Sequence, residues 1–142
     1  REAVQHYEHS LVYKANAPLA DRLITLLALV REHYAAQNYR KALLTAEEGW
    51  QLLEQDADGM TDHYEYYLHF SVYRLLLARE GEELERLLKH EAIPYFQKRK
   101  EYEDAAQYAE YLADYYARGR QYKQAAHYYR LSCELLRKRT GA

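Results

Sequence analysis

Tyr39-Arg-Lys-Ala42-Leu-Leu-Thr-Ala46 and Tyr122-Lys-Gln-Ala125-Ala-His-Tyr-Tyr129 are two similar segments that decide the fold. Each opens with Tyr-x-x-Ala. Each follows a long apolar-periodic stretch after a very short break, so each reads as the second helix of an antiparallel hairpin. A third copy, Tyr102 to Ala105, opens a first helix rather than a second and reads as local mimicry. Paired helices that recur along a chain form an array, and arrays serve as binding platforms rather than reaction centres.

Working outward, seven helices can be read. The first covers residues 1–15, with Val4, Tyr7, Leu11 and Val12 at helical spacing. Pro18 suits a helix start, because its missing N–H costs nothing there. Hairpins are expected over 18–55, 62–100 and 102–139. Asp56 to Gly59 reads as a loop, and Asp62 with Glu65 as a capping pair. Gly81 and Gly119 read as left-handed helix stops. Pro94 should kink or split the helix that contains it. No strand pattern appears. The expectation is an all-α chain forming a single domain.

Composition narrows the function. The 142 residues carry a formal net charge of −2, which does not suit a nucleic-acid coat. Leu23 to Val30 is the longest apolar run, far below the roughly 18 residues of a membrane span. The lone Cys133, between Leu131 and Leu135, forms no internal disulfide and reads as a buried small hydrophobe. A reducing, cytoplasmic setting is expected. Met60 is the one methionine, which reads as a fragment of a longer protein. Seventeen tyrosines against two phenylalanines suit helices with partly wet surfaces.

The hairpins resemble tetratricopeptide repeats. That pattern places a small residue and an aromatic late in the first helix. Aromatic, alanine, aromatic and small residues follow along the second. In the last hairpin Ala113, Tyr116, Tyr122, Ala125, Tyr129 and Ser132 match every position. In the first, Val30, His33, Tyr39, Ala42, Ala46 and Gly49 match in part, and the middle hairpin lacks the Tyr-x-x-Ala step. The resemblance implies a right-handed superhelix with a concave groove for a peptide or protein segment. The second helices begin near 39, 82 and 121. That period exceeds the family's usual repeat of about 34 residues. Long repeats of this kind are similar to those of peptide-sensing transcriptional regulators of Gram-positive bacteria. Glu91 to Phe96, Tyr111 to Tyr116 and Tyr122 to Ala126 carry that similarity. Such regulators clamp peptides with groove asparagines. Asn16 and Asn38 lie at helix boundaries here, so that clamp is not carried over.

The resemblance places Gln107, Glu110, Asp114 and Arg118 in the groove. Their spacing puts them on one helix face, which reads either as a seat for a basic or amide-rich peptide or as an ordinary solvated face. The charges of Glu110 and Asp114 oppose the clamping of acidic C-termini. Tyr66, His69 and Tyr73 share that spacing on the fourth helix. They read either as an aromatic groove rim or as core tyrosines beside a surface histidine. The histidines, including the pair His6 and His9, assemble no closed metal set, so no cofactor is expected. Lys98 to Lys100 and Arg137 to Arg139 are short basic clusters, and the second complements a helix C-terminus. No phosphate loop or nucleophile motif is present, so no enzyme is expected. The functional expectation is a peptide- or partner-binding domain of a bacterial regulator. A self-associating scaffold, including a homodimer, and the accessory domain of an enzyme are the alternatives.

Overall fold

A computed structural model describes Val4 and residues 18–140. All regular structure among the described residues is helical. In chain order it comprises α1 (Leu19–Ala35), α2 (Tyr39–Gln55), α3 (Gly59–Asp62), α4 (Tyr64–Ala78), α5 (Gly81–Leu87), a π-helical stretch (Leu88–Ala92), α6 (Ile93–Lys98), α7 (Tyr102–Arg118) and α8 (Tyr122–Arg139). The expected leading helix, with His6 and His9, lies outside the described residues except for Val4, which is helical.

The chain divides into two compact units, residues 1–80 and 81–142. The division falls within the segment that the sequence suggested as a middle hairpin.

In the first unit α2 packs against both α1 and α4. Its contact positions are small: Ala42, Ala46 and Gly49 are buried, with Leu53 one turn further on. A Cβ on Gly49 would lie 2.5 Å from the ring of Phe70, a fully buried α4 residue. The glycine is therefore required by a close approach, with the phenylalanine ring occupying the room a side chain would take. Leu23, Leu26 and Val30 of α1 and Leu68 and Val72 of α4 complete this core.

In the second unit α7 packs against α8 and against the succession α5, π stretch and α6. Two apolar rows of this helix face inward: Ala105, Ala109, Leu112 and Tyr116 are buried on one, and Tyr108 and Tyr111 are buried on the other, with Tyr115 half-buried. Ser132 of α8 reaches across the hairpin and donates to the Ala106 carbonyl at 2.9 Å. Pro94 splits its helix as expected. The Ile93 amide bonds to the Leu88 carbonyl five residues back, and a new helix starts there with the proline at its N-terminus. The ring cannot donate to the preceding turn, and widening into a π turn accommodates it.

Three helix–helix turns are built alike, which changes the reading of the Tyr-x-x-Ala motif. Gln37, Lys100 and Arg120 all take left-handed backbone, with φ of 63°, 61° and 61°. In each turn the following amide bonds to a carbonyl five residues back: Asn38 to His33, Glu101 to Phe96, Gln121 to Tyr116. The left-handed residue's own amide bonds three back, to Tyr34, Gln97 and Ala117. This is the Schellman arrangement. The alanine amide of each motif then bonds to the residue before its tyrosine: Ala42 to Asn38, Ala105 to Glu101, Ala125 to Gln121. Tyr102 opens α7, the first helix of the last hairpin, as the sequence suggested, and shares its turn geometry with the other two copies.

Local expectations elsewhere need correction. The left-handed residues after α4 and α7 are Arg79 and Arg120, not Gly81 and Gly119. Gly81 begins α5, and its missing side chain leaves room for the Tyr115 ring, 2.7 Å from where a Cβ would stand. Gly119 has φ −84°. Asp62 does not cap α4; it ends the short helix α3, and His63 precedes α4 without a side-chain cap. Cys133 is exposed, because α8 turns only Ala125, Ser132 and Leu135 fully inward.

Candidate partner-docking face

Helix α7 buries most of its circumference, which leaves one narrow polar strip. Gln107, Glu110 and Arg118 are exposed and Asp114 is half-buried. These residues are three to four apart, so they form one row along the helix. All four sequence-predicted positions of the last hairpin therefore share one accessible face.

The face does not end at α7. The Tyr129 hydroxyl of α8 donates to the Asp114 carboxylate, which fixes the two helices' outer rows side by side. That hydrogen bond is the main reason the Tyr129 phenol is held above its ordinary range, with partial burial and the nearby charges of Asp114 and Glu110 adding to it and Arg118 opposing it. Further along the hairpin Arg139 pairs with Glu103 at 2.7 Å. Both partners are largely exposed, so this pair adds little to stability.

Beneath the strip lies a fixed support. Tyr116 is buried and donates to Glu85 of α5 at 2.5 Å. Its ring stacks on Tyr128 of α8, centroids 5.8 Å apart. Burial, then the Glu85 hydrogen bond, raises the Tyr116 phenol far above its usual range. Burial and Glu85 also raise Tyr128. Both phenols stay neutral, so this layer ties α5, α7 and α8 together as hydrogen-bond donors and rings rather than as charges.

The second predicted set, on α4, behaves differently. Tyr66 is half-buried, its ring 6.1 Å from the His69 ring and 6.4 Å from that of Phe70. His69 and Tyr73 are buried, 4% and 2% exposed, so neither rims an open groove. Six consecutive residues, Leu68 to Tyr73, are buried, which at a helical repeat of about 3.6 wraps the whole circumference. The Arg31 guanidinium lies 3.5 Å from His69 Nδ1. A guanidinium only donates, so Nδ1 accepts. Burial, with Arg31 second, depresses the His69 pKa to about 3, so the ring is neutral. Tyr73 meets Tyr34 edge-on at 5.8 Å.

No group of three or more metal-ligating side chains occurs among the described residues. No helix among them is long and apolar enough to cross a membrane. The sequence reasoning missed Tyr129 as a member of the face. Its signal was present, since Tyr122, Tyr129 and Leu136 recur at seven-residue spacing along α8.

Fold and face define a chain of helical hairpins with an exposed polar strip. Comparison with known proteins adds a relative. The chain is 51% identical over 138 residues to the transcriptional activator NprA of Geobacillus stearothermophilus. The alignment covers 96% of this chain and 34% of that protein, so the chain spans about a third of the length of the curated relative it matches. The relative is named as a transcriptional activator and not as an enzyme, in agreement with the non-enzymatic reading of the sequence. No protein-family model matches the chain. No solved structure matches it.

Proposed function

We propose that this chain is the helical-repeat, partner-recognising part of a transcriptional activator, acting in the cytoplasm. The observation that carries the reading is the 51% identity to a transcriptional activator over nearly the whole of this chain. Its hairpins are tetratricopeptide-like and stack as a right-handed superhelix. The three identical left-handed turns that feed Tyr-x-x-Ala helices support this, since a shared turn is what a repeated unit needs.

The partner is a peptide or protein segment seated against Gln107, Glu110, Asp114 and Arg118. Two carboxylates on the strip favour a basic or amide-rich segment. Tyr66 of the first unit is a secondary candidate contact. With a net charge of −2, this segment is assigned no contact with nucleic acid. Binding acts by favouring one arrangement of the hairpins over another, which other parts of the activator read out.

The test is the double substitution Glu110→Lys with Asp114→Lys, made in an activator that contains this segment and read by a transcriptional reporter. The expected result is loss of activation by about tenfold or more with circular dichroism unchanged, while Tyr129→Phe, which removes only the hydrogen bond to Asp114, keeps activation. Full activation by the double variant would overturn the assignment of this strip.

A further inference from the structure

Helix α5 opens the second unit with seven residues, Gly81–Leu87. A helix that short is not held by its own backbone bonds, since isolated helices below roughly 12–15 residues are marginal in water. Leu84 and Leu87 are buried and anchor it. Of its three glutamates, Glu82 and Glu83 are exposed, whereas Glu85 is half-buried. An apolar residue at 85 would pack there without the cost of desolvating a carboxylate. Glu85 therefore does more than hold α5 in place.

Gly81 and Glu85 are about one turn apart and form one row of α5. Consecutive tyrosines of α7 meet that row. The Tyr115 ring fills the room left by Gly81, and the buried Tyr116 hydroxyl donates to the Glu85 carboxylate at 2.5 Å. The Tyr128 ring of α8 stacks on Tyr116, and the Glu85 charge acts on the Tyr128 phenol too. An O–H···O bond keeps its strength only over a narrow range of distance and angle, whereas apolar contacts can slide. This bond therefore fixes an orientation that packing alone leaves loose.

Asp114 stands two residues before Tyr116, roughly 200° around the helix. Tyr116 points into the unit, while Asp114 lies on the outer row with Glu110 and Arg118, its neighbours one turn away on either side. A rotation of α7 that released Tyr116 from Glu85 would carry these three side chains through the same angle. The bond thus governs the outer row through a rigid helix without touching it.

We propose that Glu85 is a positioning residue for the strip: its bond to Tyr116 fixes the rotation of α7, and with it the direction in which Glu110, Asp114 and Arg118 meet a partner. The inference rests on the partner-recognition reading above and adds a point of control. Because α5 is the first element of its unit, a displacement of the preceding chain reaches Gly81 and Glu85 before it reaches the strip. Release of Glu85 weakens partner binding, and its engagement restores it.

The experiment has two readouts. In the first, carboxyl groups of the 142-residue chain are labelled with a carbodiimide and glycine ethyl ester, and each site is read by mass spectrometry. Glu85→Ala and Tyr116→Phe should each change the labelling of Asp114 relative to Glu110 by about twofold or more. Exposed Glu48 of the first unit should keep its wild-type rate. Glu85→Gln, whose amide oxygen still accepts from Tyr116, should keep the wild-type ratio. An unchanged ratio in Glu85→Ala and Tyr116→Phe, or a ratio in Glu85→Gln equal to that in Glu85→Ala, would overturn the inference. The second readout is the transcriptional reporter. Glu85→Ala and Tyr116→Phe should each lower activation about threefold or more, and the double variant no further than the stronger single one. Glu85→Gln should restore activation. Gly49→Ala, a change in the other unit's core, serves as the stability control at a temperature where circular dichroism shows every variant folded. If it lowers activation as much as Glu85→Ala does, lost stability explains the effect and the positioning role falls. Full activation by Glu85→Ala and Tyr116→Phe, with Glu110→Lys plus Asp114→Lys inactive, would remove the positioning role and leave the strip standing. Full activation by all of these variants would remove the strip itself, and the inference with it.

Discussion

Single residues carry two sharply defined constraints in the first unit. Gly49 faces a ring that has nowhere to go. Alanine in a helix is ordinarily favoured over glycine by roughly 1 kcal/mol, yet here its Cβ would stand 2.5 Å from a fully buried ring. The overlap outweighs propensity, so Gly49→Ala should destabilise the chain by about 1–3 kcal/mol in urea denaturation. Unchanged or increased stability would mean that Phe70 repacks freely. His69 supplies the second constraint. Its folded pKa, about 3, lies below the ordinary 6.5, so the fold favours the neutral ring. That contribution is complete above pH 6.5 and is lost progressively as pH falls towards 3, at up to roughly 1.4 kcal/mol per pH unit. His69→Gln should flatten this part of the stability profile. An identical slope in the variant would remove His69 as its source.

At the scale of elements, the turns set the repeat. Gln37, Lys100 and Arg120 adopt a left-handed backbone that costs non-glycine residues roughly 1 kcal/mol. Replacing each by glycine should raise stability by about 0.5–1 kcal/mol, less the entropy that glycine adds to the unfolded chain. Gly119→Ala should be tolerated, because Gly119 has φ −84° and nothing lies closer than 3.5 Å to the new Cβ. Melting curves of the four single variants check both statements. A loss of stability on Arg120→Gly would show that its side chain makes contacts worth more than the backbone strain. The contrast explains why two glycines misled the sequence reading. Glycine is the commonest left-handed stop, but a Schellman turn fixed by two amide–carbonyl bonds forces that conformation on whichever residue occupies the position.

At the scale of the whole chain there are two compact units, divided in sequence between Glu80 and Gly81. Arg79 and Glu80, just before that point, are exposed, and Arg79 has φ 60°. Limited trypsin treatment should therefore cut first after Arg79 and leave helical fragments of both units, seen by mass spectrometry and circular dichroism. First cleavage within α7 or α8 would contradict the division. At this scale function also separates from fold. The polar strip that we assign to partner recognition lies wholly within the second unit, and its support, Glu85 with Tyr116 and Tyr128, lies there too. Changes in the first unit's core should act on the strip only by lowering overall stability.

The sequence by itself determined the helical class, the starts of the second helices at Tyr39 and Tyr122, the break at Pro94 and the common face of Gln107, Glu110, Asp114 and Arg118. These depend on local periodicity, on proline's missing donor and on helical spacing, all written within a few residues. Tertiary structure alone decided which apolar rows have partners. Nothing local tells α4 that it is wrapped on every side, so His69 and Tyr73 are core and not rim. Nothing local tells α8 that it has a single packed face, so Cys133, Tyr122 and Tyr129 stand outside. Burial is set by neighbours distant in the chain, and a helix with two apolar rows reads the same in sequence whether one row is covered or both.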